Sequence, residues 1–245
     1  MNKFMSWLED SFVPKANQLF SRPFIAAFSS TMQKIIPFIL TGSVIYFYNV
    51  IKSFVPVLPD LSPILTYSFG IITVIVAFMM GNQLMEKLGH PDYVINAALC
   101  SVGTLLMVAM PLGENVDSIS SLMGNLGAAG IAVGLIVGLY VGTIFHLWGK
   151  LHFLQDSSCP DFVTAWVNTI VPNLITLGIA MVLVNVLKLD VYSLVIAAFM
   201  PLANIGQTLP GFILICLIPA FFYTLGISSW TFGAVTTPIF MAGIQ

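Results

Sequence analysis

Charge is the scarcest property of this sequence. Its 245 residues include eight lysines and arginines and ten aspartates and glutamates, 7% in all, where soluble domains carry about a quarter. No charged residue falls between Lys34 and Lys52, between Asp60 and Glu86, or between Asp161 and Lys188, and none follows Asp190. No soluble fold of this size could hide an apolar content of 58% behind so few charges, so the water-soluble globular class is excluded. A net charge of −2 provides no basic stripe, which argues against a nucleic-acid partner. Cysteine is scarce as well. Cys100, Cys159 and Cys216 stand far apart with no CxxC pair, which argues against a disulfide framework or a zinc site. The sequence also lacks a P-loop, a GxSxG, an HExxH and paired carboxylates, so neither an ATPase nor a soluble hydrolase is indicated. No catalytic residue, metal ligand set or cofactor pattern emerges.

What is present is apolar and helical in pattern. A bilayer core about 30 Å thick is spanned by roughly 20 helical residues, and a central charge costs several kcal/mol. The charge-free runs predict spans at about Ile35–Phe54, Ile64–Leu84, Tyr93–Met110, Ala128–Trp148, Asn168–Leu187 and Phe212–Leu225. Residues 191–207 are apolar but interrupted by Pro201 and Gly206, which suits a partly interfacial helix. Before the first span, Phe4, Leu8, Phe12, Leu19 and Phe20 recur at helical spacing among Lys3, Glu9, Asp10, Lys15 and Arg22. That reads as an amphipathic helix on the membrane surface or, alternatively, as a polar tail, and it is not a signal peptide. The fold class expected is all-α: a polytopic transmembrane protein of about six spans plus amphipathic helices.

The basic residues imply an orientation. Lys3, Lys15, Arg22 and Lys34 precede the first span, and alternation places Lys87 and Lys150 on that same side against Lys52 and Lys188 opposite. With the acidic-only loop 111–127 on the minority side, this bias predicts a cytoplasmic N-terminus. In the fourth span Gly130, Gly134, Gly138 and Gly142 recur every four residues, after Gly124 and Gly127. Such a stripe lets a second helix approach closely, within the protomer or across a dimer.

The span centres lack Asp, Glu, Lys and Arg, which weakens a proton- or ion-coupled mechanism. The spans carry neutral amides instead: Asn49, Asn82, Gln83, Asn96, Asn173 and Asn185. These can recognise an uncharged, hydroxyl-rich solute or simply tie helices together. His90, His146 and His152 lie at span edges, and the six-residue separation of the last two is no standard metal spacing. Trp148, Trp166 and Trp230 can stack on a sugar ring or anchor the interface. Two segments fit no plain span. One runs from Leu154 through Asp156, Cys159, Pro160, Asp161, Ala165 and Trp166 to Pro172. The other is the charge-free end, rich in Gly, Ser, Thr and Pro from Gly226 to Gly243. The latter suits broken helices or re-entrant backbone, or an ordinary span followed by a loop.

In order, these landmarks resemble the membrane subunit, enzyme IIC, of bacterial sugar phosphotransferase systems, in the lactose/cellobiose/chitobiose branch. The resemblance rests on Ile36-Pro-Phe-Ile-Leu-Thr-Gly42 after an amphipathic start, and on Ala77-Phe-Met-Met-Gly81 leading to Ala97-Ala-Leu-Cys-Ser-Val102. It also rests on the glycine-rich run from Leu126 to Leu139. Pro160 to Pro172 has the spacing that follows that family's Pro-Asp-x-Val-Pro motif, with Asp156 in the Asp position if one residue is inserted. The resemblance implies a bacterial inner-membrane, multi-pass permease. Its residues 1–190 would be an N-terminal, dimer-forming domain of five spans with the amphipathic helix, and 191–245 a connecting helix and the start of an incomplete transport domain. It implies alternating access for a di- or oligosaccharide, phosphorylation by a cytoplasmic IIB partner fed by IIA, a homodimer, and no cofactor or phosphorylated residue in this subunit.

Two positions depart from that pattern. Ala165 stands where the family usually has Arg, and its Gly-Ile-His-Gly signature falls on Gly226-Ile227-Ser228-Ser229, with Ser228 in the His position. Ser228, Ser229 and Trp230 are the expected sugar-binding residues, through hydroxyl hydrogen bonds and ring contact. The family's later hairpins and acidic Asn-Glu-Pro motif have no counterpart in residues 1–245, so these residues alone are expected not to transport. The alternative reading is a transport-incompetent membrane scaffold derived from such a permease.

Overall fold

The computed structural model describes residues 7–55, 57–110, 118–151 and 160–224, together with Phe232 and Thr236. Every regular element among them is helical, as lipid requires: with no water to bond, backbone amides must pair within their own segment. A π-helical turn, Leu8–Phe12, leads into α1, Val13–Phe20. Then come α2 (Pro23–Phe54), α3 (Ser62–Ser68), α4 (Ile72–Lys87), α5 (Val94–Ala109), α6 (Ser118–Leu126), α7 (Ile131–Gly149), α8 (Asp161–Met181), α9 (Val191–Gln207) and α10 (Leu209–Thr224). Short 3-10 turns open α4, α5 and α7, and a π turn, Val182–Val186, extends α8.

Five helical stretches are long and apolar enough to cross a membrane: Pro23–Phe54, Ser62–Lys87, Pro91–Ala109, Ala128–Gly149 and Phe162–Val186. The α9–α10 pair adds a sixth if the two helices, bent by 98°, count as one broken span. The first five expected spans are thus found in order, whereas the sixth, expected at Phe212–Leu225 alone, arises only by joining α9 to α10, and several boundaries move. The first span begins at Pro23 rather than Ile35, because Pro is compatible with a first helical turn. The helix continues through Pro37, and the Thr41 hydroxyl donates to the Pro37 carbonyl at 3.0 Å. The fifth starts at Asp161, seven residues before the expected Asn168. Pro201 lies inside α9 without ending it. Part of the expected loop 111–127 is helix, as α6 shows.

The core is centred on α4, which packs most extensively on α7, then on α5 and α2. Val76, Ala77, Met80 and Leu84 meet Val133, Val137, Val141 and Phe145 there, with Leu105 and Ile35 closing the sides. The glycine stripe explains the α4–α7 closeness. A Cβ on Gly134 would lie 2.8 Å from the Thr73 carbonyl oxygen, one on Gly138 2.5 Å from Met80 Cβ, and one on Gly142 2.5 Å from a Leu84 methyl. The stripe therefore faces a helix of the same protomer. The Thr73 hydroxyl reinforces the contact by donating to the Gly127 carbonyl at 2.6 Å.

The turn after α4 is closed by a Schellman pattern. Gly89, at φ +75°, donates to Glu86, and His90 N–H donates to the Met85 carbonyl at 3.0 Å. That turn sets the α4–α5 crossing. Between α9 and α10, Thr208 is extended and its hydroxyl both donates to the Ile205 carbonyl at 2.7 Å and accepts from Gly211 N–H at 3.2 Å. The hydroxyl thus caps α10 while ending α9.

Candidate functional site

A concavity with a largely polar lining lies where the start of α5 meets the start of α8. Asp92, Tyr93 and Asn96 line one wall and Thr164, Ala165, Trp166, Asn168, Thr169 and Ile170 the other, around about 860 Å³. Thr164 and Asn168, then Ala165 and Thr169, are pairs four apart, so one helical face presents them together. Trp166 is 65% exposed and meets the edge of Phe162 at 5.6 Å between ring centroids. The α8 backbone holds this face in place, with the Thr169 hydroxyl donating to the Ala165 carbonyl at 2.9 Å. Behind it Tyr140 of α7 donates to the Thr176 carbonyl at 3.0 Å, fixing α8 on the bundle.

The lining mixes two aromatic rings with amides and hydroxyls, holds one carboxylate, and contains no Lys or Arg. Such a surface offers donors and acceptors in equal measure and no cation for an anionic ligand. Its chemistry suits a neutral, hydroxyl-rich solute. Asn168, Thr164, Thr169 and Asp92 were not singled out by sequence reasoning. The one available signal was the spacing of small polar residues around Trp166, hidden because the span was begun at Asn168.

The expected amides divide between the two roles open to them. Asn49 donates to the Ser62 hydroxyl at 3.3 Å, tying α2 to α3. Gln83 is buried and donates to Asn82 at 2.8 Å and to Glu86 at 2.7 Å. Glu86 in turn receives Lys34 at 3.2 Å, which joins α2 to α4. Asn96 alone of that set faces the cleft. Asn173 is half-buried and Asn185 exposed, away from it.

His90 and His146 meet, with Nε2 and Nδ1 2.8 Å apart, so one ring donates and the other accepts. The pair joins the α4–α5 turn to the end of α7. Among the described residues no group of three His, Cys, Asp or Glu is arranged to hold a metal. His152, Asp156 and Cys159 lie outside the described residues, as do the expected sugar-binding residues Ser228, Ser229 and Trp230 and most of the Gly226–Gly243 stretch.

No protein-family model matches this sequence, and no curated protein matches it. A solved structure does. The chain superposes on the crystal structure of the transporter ChbC, the IIC component from the N,N'-diacetylchitobiose-specific phosphotransferase system, with a TM-score of 0.76 at 16% identity. The match covers 96% of this chain and 61% of that one. This chain has the IIC transporter fold. It is a multi-pass helical membrane protein.

Proposed function

We propose that the chain is a permease subunit of the IIC type in a sugar phosphotransferase system, of the lactose/cellobiose/chitobiose branch. The observation that carries this reading is the fold likeness to ChbC over 96% of the chain. In it, residues 1–190 form a dimeric scaffold in the bacterial inner membrane with the N-terminus in the cytoplasm. Residues 191–245 connect to and begin the moving transport part. A neutral di- or oligosaccharide crosses by alternating access and is phosphorylated at the cytoplasmic face by IIB, which is charged by IIA. Ser228, Ser229 and Trp230 would contribute hydroxyl hydrogen bonds and ring contact within this chain. The α5–α8 cleft would add a second polar surface on the scaffold side.

The chain spans 61% of the transporter it resembles, so the test supplies the rest. Residues 1–245 are coexpressed with the part of a ChbC-type transporter that they do not cover, in cells lacking their own IIC but holding IIA and IIB. Labelled N,N'-diacetylchitobiose and cellobiose are offered. Accumulation of phosphorylated sugar with the pair, and none with residues 1–245 alone, is expected. A pair that inserts and assembles but accumulates nothing would leave the second reading, a non-transporting scaffold. The specific observations favouring that second reading are Ala165 and Ser228, which replace the Arg and His of the family pattern.

A further inference from the structure

The two ends of the described chain meet in a cluster of phenylalanine rings. Phe12 closes the N-terminal π turn, Phe20 closes α1, Phe222 sits in the last turn of α10, and Phe232 lies beyond it. Phe222 is 5.7 Å from Phe12 and 5.9 Å from Phe20 between ring centroids, and 5.0 Å from Phe232. Phe20 also meets Phe232 at 5.4 Å. Trp7 extends the row by packing on Phe12 at 5.8 Å. The edge-to-face and tilted geometries are those that aromatic rings favour.

The N-terminal helix is built for this contact. Phe12, Ala16 and Phe20 stand four apart and form one stripe, in which Ala16 is buried. Lys15, Asn17 and Gln18 on the other side are exposed. Membrane contact alone would not bury the alanine between the two rings against protein. Ser21 N–H closes α1 by donating to the Asn17 carbonyl at 2.9 Å and α2 starts two residues later, so only a two-residue link separates α1 from the base of the first long helix. The other end of the cluster stands on α10, beyond the 98° elbow.

We propose that the N-terminal helix is a strap: its Phe12–Ala16–Phe20 stripe seats Phe222 and holds the end of α10 against the base of α2. Any displacement of α10 relative to α2 must then carry α1 along or break the ring cluster. The strap itself is independent of the permease reading. Only its consequence for transport rests on that reading, because there α10 leads into the moving part.

The test uses the full chain in lipid nanodiscs, with the native cysteines replaced and spin labels at Lys15 and Tyr223, both of them exposed. A second label pair at Tyr46 and Leu106, exposed positions of α2 and α5, reports on the bundle. The unsubstituted seat should give a single narrow Lys15–Tyr223 distance distribution. Phe222→Ala and the double variant Phe20→Ala/Phe222→Ala should lose that short, narrow population and leave the Tyr46–Leu106 distance unchanged. Leu19→Ala, at a residue 46% exposed, should leave both unchanged. A broad Lys15–Tyr223 distribution before substitution, or a narrow one that survives the double variant, would overturn the proposal. If instead the double variant disturbs the bundle pair, the milder Phe222→Leu decides: a distribution as narrow as with Phe222 overturns the strap, and a broadened one with an intact bundle supports it. Failure of sugar accumulation would leave these distances untouched, so the two readings fail separately.

Discussion

At the scale of single residues, Gly138 and Gly178 make opposite predictions from the same chemistry. A Cβ at Gly138 would meet Met80 Cβ at 2.5 Å and the Ala77 carbonyl oxygen at 3.0 Å, neither of which can swing away. Gly138→Ala should therefore destabilise the fold by roughly 1–3 kcal/mol, since overpacking outweighs the helix propensity gained. At Gly178 nothing lies within 4 Å of the added carbon, so Gly178→Ala should be neutral or stabilising by up to about 1 kcal/mol. Thermal midpoints of the two variants in detergent should move in opposite directions or, at the least, separate clearly. Asp60 gives a pH prediction. Hydrogen bonds from the Ser62 hydroxyl and backbone, then from Lys52, hold its carboxyl below the ordinary 3.8. A depressed carboxylate contributes above its unfolded value and loses that contribution as pH falls through the folded one. Amide-exchange protection of Ser62 should thus be constant from neutral pH to about that ordinary value and fall only below it. Asp60→Asn should remove the pH dependence. A decline already complete near pH 6 would contradict the assignment.

At the scale of elements, the α9–α10 elbow is the feature with the narrowest tolerance. A Cβ on Gly211 would collide with the carbonyl of Ile205, whose oxygen already accepts from Thr208. Gly211→Ala should open the bend or cost on the order of 1–3 kcal/mol, whereas Thr208→Ala removes only a cap, worth about 1 kcal/mol. Labels at Leu194 and Leu217, both exposed, would read the bend directly: Gly211→Ala should lengthen their separation more than Thr208→Ala does. The elements themselves were largely legible in the sequence, because a run such as Ile131–Gly149 is long, apolar and free of charge. Their ends were less so. Pro23 to Lys34 carries little span signal because Gln33, Lys34 and the serines dilute its hydropathy, although helix there needs only backbone pairing. Pro201 was read as an interruption, yet α9 runs through it and ends at Thr208, where a side-chain cap and a close approach coincide.

At the scale of the whole molecule, alternation through five successive candidate spans would give the basic residues their sides. Lys34, inside the N-terminal half of α2, pairs with Glu86 at the end of α4 at 3.2 Å, so the end of α4 lies level with that part of α2. An exposed pair of this kind contributes under about 1 kcal/mol, and its value here is topological. The proposed orientation puts the basic majority, with the start of α2 and the end of α4, on the cytoplasmic side. In a cysteine-free background, a membrane-impermeant maleimide added to intact cells should label Ser53→Cys and spare Ser21→Cys. The reverse pattern would invert the orientation.

Membrane residence, the order of spans and the presence of a close-packing glycine helix were decided by the sequence by itself, because hydropathy and glycine spacing are properties of short contiguous segments. Which helix fills the glycine stripe was left open between this protomer and another, and only the packing of α4 on α7 settled it. The α5–α8 cleft and the seating of Phe12 and Phe20 on Phe222 were likewise decided by the tertiary structure. Each joins residues about 70 to 210 positions apart. Their meeting depends on turns such as Gly89 and Thr208, not on local composition.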